Sequence, residues 1–252
     1  MRTKKEKQNK HVIKHSTAAV IGFCAILLCG YMFVGDGNNT IPQSNESYQY
    51  RESSRLYVMF SEAKDGIVYC YSDGSKTTGF IVSKYDGEGC WVMTAGHKVD
   101  PDFPTADEIH VKLSRSEGSD LFRSIKVTPP LKDYDLLLFK IPHKPKHYFK
   151  NFETPYMLEE NWVFGYRGSA NYAPSPAGYV TTNIYKPHYF YSTAPILSGN
   201  SGSPVLNREG VVLGVAVEGI YGSDCVFVPA AVAKEYIKDT LENEKKEKEL
   251  AK

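Results

Sequence analysis

The stretch Gly199-Asn200-Ser201-Gly202-Ser203-Pro204-Val205-Leu206 is followed by Asn207-Arg208-Glu209-Gly210 and then by Val211-Val212-Leu213-Gly214-Val215. It reads as a glycine-rich loop, a short apolar strand, a turn and a second apolar strand. Gly199 and Gly202 flank a single serine and are free to adopt φ > 0, so the backbone can approach a reacting atom closely. In such a loop Ser201 is a candidate nucleophile. The backbone N–H groups of Gly199 and Ser201 are the candidate donors to an oxyanion.

Working outward, short β-rich runs alternate with turn signals on both sides of a basic, proline-containing stretch, Pro142 to Thr154. Before it lie Gly66–Tyr71, Thr78–Ser83, Cys90–Thr94, Ile109–Leu113, Ile125–Val127 and Asp135–Ile141. After it lie Asn161–Tyr166, Gly178–Thr182, Tyr189–Ser192, Ser203–Leu206, Val211–Val217 and Cys225–Pro229. Many short strands at this spacing predict an all-β protein, and two groups of about six predict two six-stranded antiparallel barrels. The pattern then changes. Ala230 to Lys238 has helical spacing, with Val232, Tyr236 and Leu241 near one face. Residues 241–252 alternate Lys and Glu and are expected to be a solvated, fraying helical tail.

The chain has 252 residues, of which 42% are hydrophobic, enough for one domain of up to about 200 residues with appendages. Its formal net charge of +1 gives no reason to expect a nucleic-acid partner. The charge is unevenly spread: in residues 1–15, Arg2, Lys4, Lys5, Lys7, Lys10 and Lys14 stand against Glu6. Residues 16–34 then carry no charge, over about the ~20 residues that span a bilayer as a helix. This predicts an N-terminal transmembrane signal-anchor with the basic head in the cytoplasm and the rest outside; a cleaved signal peptide is the alternative. Residues 35–54 read as a polar linker and 55–240 as the folded domain. Cys70, Cys90 and Cys225 lie outside the apolar segment; one disulfide is possible, but their spacing names no pair. Neither a CxxC nor a His/Cys cluster is present, so no metal or cofactor is expected.

Serine chemistry needs a base and a group to orient it. His97 ends the run Cys90-Trp91-Val92-Met93-Thr94-Ala95-Gly96, so a strand delivers it to a loop after small residues. His110, His143, His147 and His188 read as surface histidines. Asp135 stands at the mouth of Leu136-Leu137-Leu138-Phe139-Lys140-Ile141 and is the candidate orienting acid, with Asp133 as the competing assignment.

The order His97, Asp135, Ser201, with Thr94-Ala95-Gly96-His97 and Gly199-Asn200-Ser201-Gly202-Ser203-Pro204, resembles the chymotrypsin-fold, trypsin-like serine peptidases. It looks closest to their bacterial HtrA/Deg-type and glutamyl-endopeptidase-like branch. The resemblance covers about Gly66 to Ile237, with too few residues after it for the PDZ domain that typical HtrA proteins carry. It implies a site in the cleft between two barrels and a serine endopeptidase acting on polypeptides through an acyl-enzyme. It also implies that Pro195 and Ile196 line the floor of the pocket for the side chain before the cut (P1). The backbone of Ala216, Val217 and Glu218 would receive the peptide as an added strand. Those residue types favour an apolar P1 side chain, and Glu218 could attract a basic group. Asn200 stands where animal digestive members carry an aspartate, so activation by a freed N-terminus is not implied. Ala216 stands where glutamyl-specific members carry a histidine, which argues against glutamate specificity. The alternative function is a catalytically inactive peptidase-fold protein acting as a membrane-tethered peptide-binding module.

Overall fold

The computed structural model describes residues 56–72, 75–98, 109–113, 121–167, 172–182, 188–220 and 224–251. The expected membrane span over residues 16–34 and the linker over 35–54 lie outside them. Among the described residues no helix is long and apolar enough to cross a membrane.

Among the described residues the protein is mostly β, in two seven-stranded sheets. The first holds β1 (Ile67–Ser72), β2 (Ser75–Ile81), β3 (Cys90–Ala95), β4 (His110–Lys112), β5 (Leu121–Arg123), β6 (Lys126–Val127) and β7 (Leu136–Ile141), in the order β5-β4-β1-β2-β3-β7-β6. The second holds β8 (Glu160–Tyr166), β9 (Tyr172–Pro174), β10 (Gly178–Thr182), β11 (Phe190–Ser192), β12 (Pro204–Asn207), β13 (Val212–Ile220) and β14 (Asp224–Pro229). Its order is β10-β11-β14-β13-β12-β8-β9, and a further β10–β8 pairing curls it back on itself. Seven strands per sheet correct the expected six. The additions are the three-residue strands β5 and β9, each paired with one neighbour in its sheet (β4 and β8).

The strand β7 shows why the sequence takes this form. All six of its residues are buried. Because successive side chains point to opposite faces, Leu137, Phe139 and Ile141 face the interior of the first barrel with Val68, Ile81 and Val92. Leu136 and Leu138 face the other way, into a core shared with Phe164, Leu206 and Val215 of the second sheet. A strand covered on both sides must be apolar almost throughout. Its neighbour β3 divides in the same way: Cys90 and Val92 face inward, while Trp91 and Met93 face the shared core. The second barrel closes over Val180, Ala194, Ile196, Leu213, Ala216 and Phe227.

Two helices complete the shared core. One, α1, over residues 56–64, supplies Met59 and Ala63 and was not expected from the sequence. The other, α2, is continuous over Ala230–Leu250. Its buried face is Ala230, Ala233, Ile237, Thr240 and Glu244, whereas Leu241 is exposed, so the expected face is displaced. Nor does the tail fray before Leu250. Lys140, on the shared-core face of β7, is almost fully buried and donates to Glu244 at 2.5 Å, Asp86 at 2.6 Å and Glu88 at 3.1 Å. The Trp91 indole donates to the other Glu244 oxygen at 2.8 Å. Lys248 closes the cluster on Asp86 and Glu88. Asp86, Glu88 and Glu244 gather closely enough to suggest a cation site, but the two lysine ammonium groups already supply the positive charge.

Cys70, Cys90 and Cys225 are free and buried. Burial pushes the Cys90 thiol up to about 12 and the other two higher still. Of the four histidines expected at the surface, His110 stacks on Tyr71 and His147 packs against Phe149. Burial holds the His147 imidazole below its usual range.

Burial by itself would raise the Glu244 carboxyl, but the bonds from Lys140 and Trp91 outweigh it and hold it below the usual carboxylate range. A carboxyl depressed in the folded state contributes stability above its unfolded value, about pH 4.3, and that stability is lost as pH falls through the folded value. Urea denaturation should therefore show stability falling as the pH is lowered below about 4.5. Lys140→Ala, which leaves the buried Glu244 with only the Trp91 indole and the more distant Lys248 at 3.4 Å, should cost about 3 kcal/mol. Lys245→Ala, in an exposed i,i+4 pair with Glu249, should cost less than about 0.5 kcal/mol.

Candidate active site

The strand β3 ends at Ala95 and the chain enters a 3-10 turn, Gly96–Lys98, that presents His97. Asp135 comes from a second 3-10 turn, Lys132–Tyr134, and sits after it in the left-handed conformation with φ of 54°. Aspartate tolerates this region better than most residues, and the reversal points the chain into β7. Because β3 and β7 are paired with Ala95 opposite Leu136, the residues just beyond meet. Asp135 Oδ2 lies 2.5 Å from His97 Nδ1, and Asp135 Oδ1 accepts the His97 backbone N–H at 2.5 Å. The Gly96 N–H donates to the Asp135 carbonyl at 2.8 Å. A carboxylate can only accept, so Nδ1 is the donor in this pair, and in the neutral imidazole Nε2 is then the acceptor. Both side chains remain partly exposed. Asp133 is elsewhere: its carbonyl accepts from the Tyr189 hydroxyl at 3.1 Å.

Ser201 lies in the loop before β12 and is half-buried. Gly199 and Gly202 have φ of 98° and 81°, the positive values their lack of a side chain permits. Asn200 is buried, and its side-chain oxygen accepts the Leu197 N–H at 2.9 Å. Its own N–H donates to the Leu197 carbonyl at 3.0 Å, so the loop is cross-tied by one residue. Gly202 N–H donates to Ala216 of β13 at 2.7 Å.

The loop belongs to the second sheet but is pressed on the first. A Cβ on Gly202 would stand 2.1 Å from the Thr78 carbonyl oxygen, 2.3 Å from Thr94 Oγ1 and 2.9 Å from the Ala95 backbone nitrogen. The chain that carries Ser201 thus touches the end of β3, two residues from His97. Two threonines of β2 hold it there, and a third, on β3, braces one of them. Thr77 donates its hydroxyl to the Ser201 carbonyl, and Thr78 N–H donates to the same oxygen at 3.0 Å. The Thr78 hydroxyl donates to the Gly199 carbonyl at 2.8 Å and accepts Tyr166 N–H at 2.9 Å. Thr94 donates to the Thr78 carbonyl at 2.7 Å. The sequence offers Thr78 only as a strand residue and does not single out Thr77; their hydroxyls become recognisable once the loop is seen against them.

The residues expected around a substrate are less uniform. Pro195 is half-buried, whereas Ile196 is 4% exposed and belongs to the core of the second barrel with Ala216. A Cβ on Gly219 would meet Ile196 Cγ1 at 3.0 Å, so Ile196 closes the space beneath Gly219. Val217 is buried in the shared core and Glu218 is exposed. The strand β12 pairs with β13 only as far as Val215, while β14 pairs with it as far as Ile220.

Two barrel-like sheets, with a histidine–aspartate pair on one and a glycine-rich serine loop from the other pressed against it, define a chymotrypsin-like serine peptidase fold. The chain belongs to the trypsin-like peptidase domain family, whose model matches residues 77–215. Among solved structures it is similar to the serine endoprotease from Yersinia pestis, at 16% identity and a TM-score of 0.59, over 73% of this chain and 65% of that one. It is also similar to the Rv3671c protease in an inactive form, at 21% identity and a TM-score of 0.56, over 71% of this chain and 91% of that one. A serine-to-alanine mutant of Rv3671c from Mycobacterium tuberculosis matches at 20% identity with the same TM-score, over 71% and 89%. At these identities the likeness is one of fold. No curated protein matches the sequence significantly.

The tight seat of Gly202 is directly testable. Gly202→Ala adds a methyl group where the Thr78 carbonyl and Thr94 hydroxyl already stand, at a backbone angle that disfavours any side chain. Thermal denaturation should show a loss of about 1–3 kcal/mol from overpacking, while Gly87→Ala, where nothing lies within 4 Å, should lose less.

Proposed function

We propose that this protein is a serine endopeptidase that cleaves polypeptides through an acyl-enzyme on Ser201. The observation that carries the reading is the bond between His97 Nδ1 and Asp135 beside the loop that holds Ser201. His97 Nε2, left with its lone pair, takes the Ser201 proton as the oxygen attacks the substrate carbonyl, then returns it to the leaving amine. Asp135 holds the imidazole in that tautomer and balances the charge that forms on it. The N–H groups of Gly199 and Ser201 stabilise the oxyanion, at positions fixed by the Asn200 cross-tie and the threonine hydroxyls. Water then releases the acyl group by the same exchange in reverse.

The substrate extends the second sheet along β13 beyond Val215, on the backbone of Ala216, Val217 and Glu218. Its P1 side chain enters beside Pro195 and above Ile196. Because Ile196 fills the space beneath Gly219, a small apolar side chain fits better than a long one. Glu218 draws basic groups to the neighbouring subsite. The domain works outside the cytoplasm, tethered by a membrane span over residues 16–34, a placement that rests on the charge and hydropathy of the sequence.

A fluorophosphonate probe should label the full-length protein at Ser201. Labelling should disappear in Ser201→Ala, and its rate should fall by about three to four orders of magnitude in His97→Ala and Asp135→Asn. Unlabelled wild-type protein with a native thermal transition would overturn the reading. The tether has its own test: the full chain should stay with membranes through an alkaline carbonate wash, and a chain lacking residues 1–34 should not. Release of both would leave the domain untethered.

A further inference from the structure

Asp135 rides on an arch, residues 128–138, that leaves the first sheet at Thr128 and returns to it in β7. At the base, Thr128 N–H donates to the Leu138 carbonyl at 2.9 Å. Midway, Leu131 and Leu136 bond each other in both directions, at 2.8 and 3.4 Å. Between these ties run Pro129 and Pro130, neither of which has an N–H to donate. Among the described residues nothing packs on the outer side of this segment. It borders a cavity of about 610 Å³ lined by Trp91, Pro129, Pro130, Leu131, Tyr236 and Glu247 among others. Van der Waals contact therefore fixes this stretch on one side only.

One side chain reaches across. Tyr236, on α2, has its hydroxyl 2.7 Å from the Pro129 carbonyl and 2.6 Å from Thr128 Oγ1. Thr128 Oγ1 is also 2.9 Å from the Leu138 carbonyl. Two hydroxyl protons serve these three contacts, and in every arrangement the tyrosine oxygen stays bonded to the base of the arch. Burial pushes the Tyr236 phenol up, so it keeps its proton through the neutral range. The Tyr189 hydroxyl, from the second sheet, holds the far side of the arch through the Asp133 carbonyl at 3.1 Å.

We infer that Tyr236 is a positioning residue for Asp135: its hydroxyl, delivered by the C-terminal helix, fixes the base of the arch and through it the distance between the Asp135 carboxylate and His97. The inference rests on the proposed roles of Asp135 and His97. Without the hydroxyl, Thr128–Leu131 can relax into the cavity and Asp135 loses its fixed register on the imidazole. A looser carboxylate stabilises the imidazolium less, so His97 should titrate at lower pH and turnover should fall. Substrate contacts, made by the second sheet, should be untouched.

The test is Tyr236→Phe in the full-length protein, with a p-nitrophenyl ester of N-acetylalanine as substrate. The expected result is a fall in kcat of about tenfold with KM unchanged within about twofold. The acid limb of the kcat/KM profile should move by about half a pH unit or more to lower pH. Thr128→Val, which keeps the backbone bond to Leu138, should show the same pattern more weakly, and it serves as the test if Tyr236→Phe does not fold. Tyr172→Phe, which removes a hydroxyl on β9 that bonds the Phe60 carbonyl at 3.5 Å, is the control. Wild-type kcat and an unmoved acid limb in Tyr236→Phe, or a loss confined to KM, overturn the inference. Asp135→Asn in the same assay separates the two levels. If Asp135→Asn is inactive while Tyr236→Phe matches wild type, only the positioning role fails. If Asp135→Asn retains full turnover, the proposed site fails and the inference with it.

Discussion

The structure depends on the absence of a side chain at Gly202. The serine loop belongs to one sheet and the histidine to the other, and they meet only because the backbone at Gly202 sits against the Thr78 carbonyl and the Ala95 nitrogen. Every other contact at the seam follows from that approach. The hydroxyls of Thr77 and Thr78 can reach the Ser201 and Gly199 carbonyls because the two chains run this close. The shared core of Phe80, Met93, Leu138, Phe164 and Val215 fills the space behind. Close-packed apolar side chains set the distance between the sheets, and directional bonds at the seam set the register.

The two halves contribute differently. The first sheet presents the histidine–aspartate pair on the ends of paired strands, where the β3–β7 ladder and the αL turn at Asp135 bring the two residues side by side. The second presents Ser201 on a loop that is rigid because it bonds to itself through Asn200 and to β13 through Gly202. In peptidases activated by a new N-terminus, the corresponding acid waits for a partner. Asn200, being neutral and already bonded to the Leu197 N–H, needs none. The same economy appears at Lys140, where three carboxylates surround one buried ammonium and fasten α2 to the first sheet. Exposed pairs along α2 are worth little beside it.

Much of this was legible in the chain. All twelve expected strands exist, because alternation and turn residues are local signals, and the family and the order of His97, Asp135 and Ser201 follow from three short segments. The strands β5 and β9 were not legible: with three residues each, they are strands chiefly because β4 and β8 offer them hydrogen bonds. The helix over 56–64 was missed although Leu56, Met59, Phe60 and Ala63 have helical spacing, because it adjoins a polar linker. The Lys/Glu tail looked solvated because the lysine that receives Glu244 lies more than a hundred positions earlier, inside an apolar strand. Charge pattern along one element cannot report a partner in another. Ile196, which the resemblance puts on a pocket floor, is a core residue of the second barrel, a packing that its local sequence does not signal.

The helix α2 also gives the molecule an order of assembly. Both ladders, the serine loop, the histidine turn and Tyr189, which holds one side of the arch, are encoded before residue 230, and Tyr236, which braces its base, comes after it. A chain emerging from its N-terminus can therefore pair its strands while the arch still borders open solvent where α2 will lie. Docking of α2 brings Glu244 to Lys140 and Tyr236 to Pro129 in one event. If Tyr236 positions Asp135 as inferred above, that carboxylate is aligned last, and a half-made domain carries the chemical groups without their final alignment.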